Sequence, residues 1–461
     1  MDFIDRQTEL ELLADHMDRP GASLFVLFGR RRIGKTALLQ RAIATRERAA
    51  YHVGTRSTIH EEMGRLSRTL ARSWGHGLLE AQPLDSVASL VAALEGLSGP
   101  HILALDELPY LVESDPSLPG QLQAAWDRSL SASELKLVVC GSSIGMMSDT
   151  FLSSRSPLYG RRTGQLQLGP LASHHLAEAF PWPTPELVEL AALFGGVPGY
   201  LQRLDPDAGI LDNLRDTVLR RGEPMYEEVP FLLREELREP RVYQAILAVI
   251  AAGARKFGEI SSKTGLERAN LSRYLSILID LGLVEREVPV TEPIPAKSRK
   301  GLYRIADPFI ATWYRFVHPH RDRLERGLAD EVVAQEILPS FHHALSLLVE
   351  PVLRELFLSP ALAPEIPFRP AFLGRHWSPT AELDLVALDE SRGRAFVAEV
   401  KWSSDVPVSL LDHLRRRVAA EPAFSGIDCT YALVSRSAFS GPGRDLRPDE
   451  RLIDLATVDL E

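Results

Sequence analysis

The chain has 461 residues, 45% of them hydrophobic and 25% charged, and a formal net charge of −10. At roughly 100–200 residues per domain this length calls for three or four domains, and the composition excludes a disordered or fibrous chain. The acidic balance excludes a general coat of positive charge, so any contact with nucleic acid must be local.

The opening "MDFIDRQTELELL" is acidic and unlike a signal peptide. No uninterrupted apolar span reaches the roughly 20 residues that cross a bilayer, so a cytoplasmic chain with no membrane partner is expected. The two cysteines, Cys140 and Cys429, lie far apart in apolar strand-like runs and read as reduced core thiols.

"SLFVLFGRRRIGKTALLQRAIA" runs apolar strand, loop, helix, and its loop Gly29-Arg-Arg-Arg-Ile-Gly34-Lys35-Thr36 is a full G-x-x-x-x-G-K-[ST] match. Glycines let backbone N–H groups turn onto phosphate oxygens, and the helix that follows presents its positive end. Lys35 is expected on the β- and γ-phosphates and Thr36 on Mg²⁺, with ATP as the nucleotide. Arg30, Arg31 and Arg32 read as solvated or folded onto nearby acids.

"HILALDELPYL" is apolar on both faces, as a central parallel strand is, and ends in Asp106-Glu107. Asp106 is placed for the Mg²⁺ shell, and Glu107 to orient and deprotonate the attacking water. "KLVVCGSS" reads as a further strand. Its Ser142 and Ser143 either sense the γ-phosphate or the water, or cap a turn.

Together these residues resemble the ATPase core of the AAA+ and STAND type, in particular the prokaryotic archaeal-type ATPase family with a C-terminal DUF234 segment. "FIDRQTELELL" is similar to that family's F-x-x-R-x-x-E-L signature, "SPLYGRRTGQLQLGPL" to its post-sensor segment and "FGGVPGYL" to its lid motif. The resemblance implies that Arg161 or Arg162 serves as arginine finger or sensor; two surface arginines are the alternative. A finger acting in trans would need neighbouring copies, so a homo-oligomer stays open, as does a protein partner.

From 172 to 240 apolar residues recur at helical spacing, which suits a lid over the nucleotide. The next stretch reads as helices at 241–252, 257–263 and 268–281, with a turn at Gly265 and a C-cap at Gly282. Two short helices joined by a glycine turn make a helix-turn-helix, and "LVEREVPV" with "LYRIADP" supply the strands of a wing. Residues 241–305 hold eleven Lys/Arg and six Asp/Glu, a local surplus of 11 − 6 = +5. DNA is therefore the expected partner, met by Arg268, Asn270, Ser272 and Arg273 at the start of the third helix and by Lys297, Arg299 and Lys300 at the wing tip. Protein docking by the same module is the rival reading.

Phe309, Trp313, Tyr314, Phe316 and Val317 follow at helical spacing and read as core; the Asp-Pro-Phe…Trp-Tyr-Arg-Phe sequence resembles the start of the DUF234 segment. The last 120 or so residues read helix (340–358), strand, strand, helix, strand, the order of a restriction-endonuclease-like core. Asp384 in "AELDLVALD" stands fifteen residues before Glu399 in "VAEVKW", and Glu399-x-Lys401 share one strand face. The resemblance of this segment to DUF234, itself placed in the PD-(D/E)xK nuclease superfamily, implies Mg²⁺ or Mn²⁺ on Asp384 and Glu399. Lys401 would steady the water and the pentavalent phosphate, and Glu350 would add an acid from the preceding helix. Leu383 stands where that family usually has proline.

The expected fold is a multidomain α/β chain, with a P-loop ASCE parallel sheet, a helical lid, a winged helix-turn-helix and a restriction-endonuclease-like α/β domain. Expected boundaries are 1–171 for the ATPase core, 172–240 for the lid, 241–306 for the winged helix, 307–345 for a helical linker and 346–461 for the nuclease-like domain. The expected function is ATP hydrolysis controlling DNA binding, with metal-dependent cleavage by the last domain. The alternatives are a regulatory ATPase with an inert nuclease-like domain, and an ATP-switched protein-interaction module.

Overall fold

The computed structural model describes residues 3–147, 150–151, 153, 156–441 and 445–460. The chain forms two compact units. One is Phe3–Pro170 with Val197–Gly199; the other is Leu171–Gly196 with the chain from Tyr200 onward.

The first unit is built on strands β1 (Ser23–Phe28), β2 (Ala49–Val53), β3 (His101–Asp106), β4 (Leu135–Gly141) and β5 (Gly164–Gln167). They hydrogen-bond in the order β2-β3-β4-β1-β5, all parallel, so that β4 lies between β1 and β3. Every residue of β1, β3 and β4 is buried. Helices cover both faces of such a sheet, which is why these strands are continuous apolar runs in the sequence. Helix Ile59–Trp74 shows the packing logic: Met63, Leu66, Leu70 and Trp74 recur every three or four residues and enter the core with Leu24, Leu103 and Leu137. Thr58 caps it, its hydroxyl accepting from the Glu61 N–H. The core places the carboxyl ends of β1, β3 and β4 side by side, and the loop after β1 runs into helix α1 (Lys35–Ile43).

In the second unit, after a 3-10 turn at Ser173–Glu178, helix α2 (Thr184–Phe194) is buried on nearly every side. Helices α3 (Pro240–Ala251), α4 (Phe257–Thr264) and α5 (Arg268–Asp280) follow, with Gly265 left-handed between α4 and α5. The antiparallel hairpin β6 (Val284–Glu287) and β7 (Leu302–Ile305) completes a winged helix. Phe309, Trp313, Tyr314, Phe316 and Val317 are all buried, and the Trp313 indole donates to the Tyr226 carbonyl at 2.7 Å. Their helical spacing is that of a core.

Helix α6 (Phe341–Leu356) precedes a five-stranded sheet, β8 (Phe372–Trp377), β9 (Glu382–Leu388), β10 (Arg394–Pro407), β11 (Asp428–Ser440) and β12 (Glu450–Asp454), ordered β12-β11-β10-β9-β8. β8, β9 and β10 pair antiparallel, whereas β10, β11 and β12 pair parallel, with helix α7 (Leu410–Ala419) making the crossover from β10 to β11. The sheet has two strands, β8 and β12, beyond those read from the sequence. Both are edges, and β8 mixes Gly374, Arg375 and His376 into a pattern without clean alternation.

One helical run, Ala329–Leu356, passes as a membrane span on length and mean composition, although charged residues such as Glu336, Glu350 and Arg354 interrupt it. Its buried Phe341, Ala344, Leu345, Val349, Val352, Leu353 and Leu356 recur every three or four residues, the stripe of a helix packed on a core.

Candidate active sites

At the P-loop, Gly34 has φ +96°, a left-handed conformation that glycine adopts without cost, and it turns the chain into α1. Lys35 is 5% exposed, its ammonium donating to the Gly29 and Arg30 carbonyls at 2.7 and 2.8 Å. The motif segment Val197–Gly199 packs on this loop. The Gly199 N–H donates to the Arg32 carbonyl at 3.0 Å, and a Cβ on Gly199 would stand 2.5 Å from the Arg32 Cβ. Only glycine allows that approach. Arg31 donates to the Tyr110 hydroxyl at 2.6 Å.

The Thr36 hydroxyl donates to Asp106 Oδ2 at 2.7 Å. One hydroxyl and one carboxylate meeting beside the loop are hard oxygen donors, and they fit the incomplete shell that Mg²⁺ shares with nucleotide phosphates. Tyr51 donates to the same Asp106 oxygen at 2.7 Å; burial, and the Asp106 carboxylate after it, push its phenol far above the usual range. Sequence reading missed Tyr51, whose only signal is its position on the strand that pairs with β3.

Glu107 follows β3 in a left-handed conformation, φ +48°. Its carboxylate accepts the Ser142 hydroxyl at 2.7 and 2.8 Å. The two serines divide their work: Ser142 meets Glu107, while Ser143 accepts the Met146 N–H at 3.4 Å and caps a helical turn. Arg161 forms a two-pronged pair with Asp127 at 2.8 and 2.7 Å, and Arg162 donates to the Phe151 carbonyl at 2.9 Å. The structure thus gathers Gly29, Gly34, Lys35, Thr36, Asp106, Glu107 and Ser142, and gives both arginines other partners.

In the second unit, Arg268, Asn270, Ser272 and Arg273 are all exposed on the first turns of α5. Arg273 lies over the Tyr274 ring, 5.0 Å from its centroid, and 3.7 Å from Glu239. Lys297, Arg299 and Lys300 are exposed in the loop between β6 and β7, with Lys300 paired to Glu292 at 2.6 Å. The base of that loop is anchored on the C-terminal sheet. The Val290 N–H donates to the Arg375 carbonyl at 2.8 Å, Thr291 Oγ1 lies 2.8 Å from His376 Nδ1, and Arg392 donates to the Thr291 carbonyl at 3.0 Å.

The C-terminal acids come together at the middle of their sheet. Ala398 of β10 pairs with Leu385 of β9, so one further step in the register sets Glu399 across from Asp384. Asp384 Oδ2 accepts the Val400 N–H at 3.0 Å. Lys401 Nζ lies 2.7 Å from Glu399, on the same face. Arg417, on α7, takes the other Glu399 oxygen. It was missed in the sequence, where it is one of three arginines in the basic helix "LLDHLRRRVAA". Burial raises the Asp384 carboxyl, and the Glu399 charge raises it further. Glu350 is raised to about 7, first by burial and then by Asp384, despite Arg375 at 3.7 Å.

Asp384 and Glu399 are two hard oxygen donors suited to a divalent ion, whose remaining ligands would be water and phosphate oxygens. Among the described residues, no group of three or more His, Cys, Asp or Glu is arranged to hold a metal ion, and Glu350, expected to add an acid to the pair, feels the Asp384 charge.

The sequence matches three family models: "ATPase domain predominantly from Archaea" over residues 3–204, "Bacterial regulatory protein, arsR family" over 244–286, and "Archaea bacterial proteins of unknown function", the DUF234 family, over 313–415. It is 33% identical over 404 residues to "Uncharacterized protein MJECL04" of Methanocaldococcus jannaschii, covering 87% of each chain. Solved structures with similarity include the Walker-type ATPase paby2304 of Pyrococcus abyssi, at TM-score 0.48 and 22% identity over 68% of this chain and 96% of that one. Another is the ORC2 protein of Aeropyrum pernix, at TM-score 0.43 and 15% identity over 73% and 96%. At those scores the structural likenesses carry no functional argument. The P-loop motif and the match to the Methanocaldococcus protein along most of both chains agree: this chain belongs to the archaeal-type P-loop ATPase family with a helix-turn-helix segment and a C-terminal DUF234 segment.

Proposed function

We propose that this ATPase binds DNA through its winged helix and cleaves phosphodiester bonds at the C-terminal sheet with a divalent metal ion, under the control of ATP. One observation carries the reading. Asp384, Glu399 and Lys401 lie on adjacent strands of one sheet, with two carboxylates close enough for one to raise the other's proton affinity. Like charges are not buried side by side unless something offsets them, and a divalent cation would add to the offset that Lys401 and Arg417 give Glu399. The ion would polarise the phosphoryl oxygen and lower the pKa of a bound water. Of the chain's own groups, Asp384 and Glu399 would hold the site open to it, while Lys401 would meet the negative charge that builds on the phosphorus oxygens.

In the first unit, Lys35 and the loop N–H groups would bind the nucleotide phosphates, and Thr36 and Asp106 would hold Mg²⁺. Glu107, fixed by Ser142, would orient the water. On the DNA side, Arg268, Asn270, Ser272 and Arg273 would face the groove. Arg268→Ala is expected to weaken binding and to lower the salt slope of log K by about one, in a titration between 50 and 200 mM salt. An unchanged slope would place the DNA elsewhere.

A second reading has its own support. Arg417 and Lys401 already neutralise Glu399, and no third acid completes a ligand set among the described residues. That arrangement suits a regulatory ATPase whose nuclease-like sheet binds without cutting. The deciding experiment is plasmid and single-strand cleavage with Mg²⁺ or Mn²⁺, with and without ATP, comparing the native chain with Lys35→Ala and Glu399→Ala. Cleavage that disappears in Glu399→Ala supports the nuclease, and the Lys35→Ala result reports whether ATP gates it. DNA binding without cleavage by any form would overturn the nuclease and leave the regulatory reading.

A further inference from the structure

A cavity of about 370 Å³ opens in the second unit, where the ends of α3 and β7 meet the middle of α6. Its wall is mostly apolar, with Ile250, Pro351 and Val352 among its lining, yet three arginines reach it: Arg255, Arg304 and Arg315. Arg304 is satisfied by Glu285 and by Glu287 at 3.1 Å. Arg315 is not. It sits between the buried aromatics Tyr314 and Phe316, and among the described residues its side chain makes no ion pair or hydrogen bond. Arg255 likewise has no side-chain partner among them.

A guanidinium that is partly desolvated and has no counter-ion is costly, and burial depresses the affinity of Arg315 for its proton with no acid acting against it. Such a residue in a structural role would be paired, as Arg304 is here and as Arg354 is with Glu287 at 2.8 Å. An apolar cavity of a few hundred Å³ with one or two placed charges is the usual make-up of a small-ligand site. The α6 wall is shaped for it as well. Pro351 has no N–H to return to the Leu347 carbonyl one turn earlier, and Leu347 is exposed at the edge of the cavity.

We infer that this cavity binds a small organic anion, with its charged headgroup on Arg315 and Arg255 and its apolar body against Ile250, Pro351 and Val352. The headgroup is a carboxylate or a phosphate monoester, both of which match the guanidinium fork. The site is built from the end of α3, from β7 and from α6, so a ligand there would touch the winged helix and the helix that carries Glu350. The inference is independent of whether the chain binds or cuts DNA.

The test uses the full chain and three probes with one aromatic body: 2-naphthoate, 2-naphthyl phosphate and the neutral methyl 2-naphthoate. Calorimetry and thermal shift are read for the native chain, Arg315→Met, Arg315→Lys and Ala252→Trp, the last adding bulk at the exposed rim of the cavity. One-to-one binding of at least one anion is expected, weakened about tenfold or more by Arg315→Met or by loss of the probe's charge, and partly kept by Arg315→Lys. The tighter of the two anions identifies the headgroup. Arg315→Met should fold, because it removes an unpaired charge, and Ala252→Trp blocks the site without touching the arginine. Equal affinity for ester and anions, equal affinity of Arg315→Met and the native chain, undiminished binding by Ala252→Trp, or no binding at millimolar probe would each overturn the inference.

Discussion

Two pairs of acids stand at the carboxyl ends or middles of buried strands in this chain, and they are satisfied in opposite ways. Asp106 and Glu107 face neutral hydroxyls: Thr36 and Tyr51 donate to the first, Ser142 to the second. Asp384 and Glu399 face each other, with Glu350 nearby and cations gathered around them from β8, β10 and α7. Hydroxyl donors orient a carboxylate without neutralising it, which suits a group that must aim a water at a phosphate. Crowded carboxylates rimmed by cations are held by charge, and in the proposed function they would share a divalent ion as well. In the proposed function the same two residue types would serve as a positioning device in one unit and as an electrostatic demand in the other.

The comparison breaks first at Glu107. Glu107→Gln keeps the hydrogen-bonding shape and removes the base, so ATP turnover should fall by about 10²–10⁴-fold while nucleotide binding is retained. Steady-state hydrolysis and a nucleotide-binding titration read the two separately; a loss of binding would mean that Glu107 serves the fold.

The next effect belongs to Glu350. Its carboxyl is raised to about 7 from an ordinary 4.5, so the folded state holds its proton more tightly than the unfolded one. The group's stabilising contribution is complete below about pH 4.5 and is lost as pH rises through about 7. The loss amounts to at most about 3 kcal/mol from this group. Glu350→Gln should flatten that slope and leave the variant more stable than the native chain at pH 8, as denaturant titrations at pH 5 and 8 would report. Parallel slopes in the two proteins would mean that solvent or Arg375 already compensates the charge.

A smaller effect sharpens the other side. Ser142→Ala should lower kcat for ATP about tenfold with KM unchanged, because Ser142 aims Glu107 and does not touch the nucleotide in this account. A change in KM alone would move Ser142 to the phosphates.

The two sites were also unequally legible in the sequence. The P-loop acids lie in contiguous motifs, since a parallel strand buried on both faces is an unbroken apolar run and its end is marked by Asp106-Glu107. The helix-turn-helix was legible for a similar reason: Gly265 and Gly282 punctuate a helical period, and all three helices fall within a few residues of the reading. The C-terminal sheet was half legible. Asp384 and Glu399 could be paired because β9 and β10 form a local hairpin, but the edge strands β8 and β12 carry no clean alternation. Tyr51, Arg417 and Arg315 were beyond reach, because each is defined by a neighbour distant in sequence or by a neighbour it lacks. The anchoring of the wing loop on β8 is of the same kind: nothing in Val290, Thr291 or Arg392 marks the contact until the sheet is assembled.

The most direct test of the electrostatic demand is a Mn²⁺ titration without nucleotide, read by thermal shift at pH 6 and pH 8 on the native chain and on Asp384→Asn. The account predicts a rise in melting temperature for the native chain at pH 8 that shrinks at pH 6, because protons compete more strongly for the raised Asp384 carboxyl as pH falls, and that is lost in Asp384→Asn. Equal shifts in the two proteins, or none in either, would contradict it and leave the C-terminal acids as a structural cluster with no cation to receive.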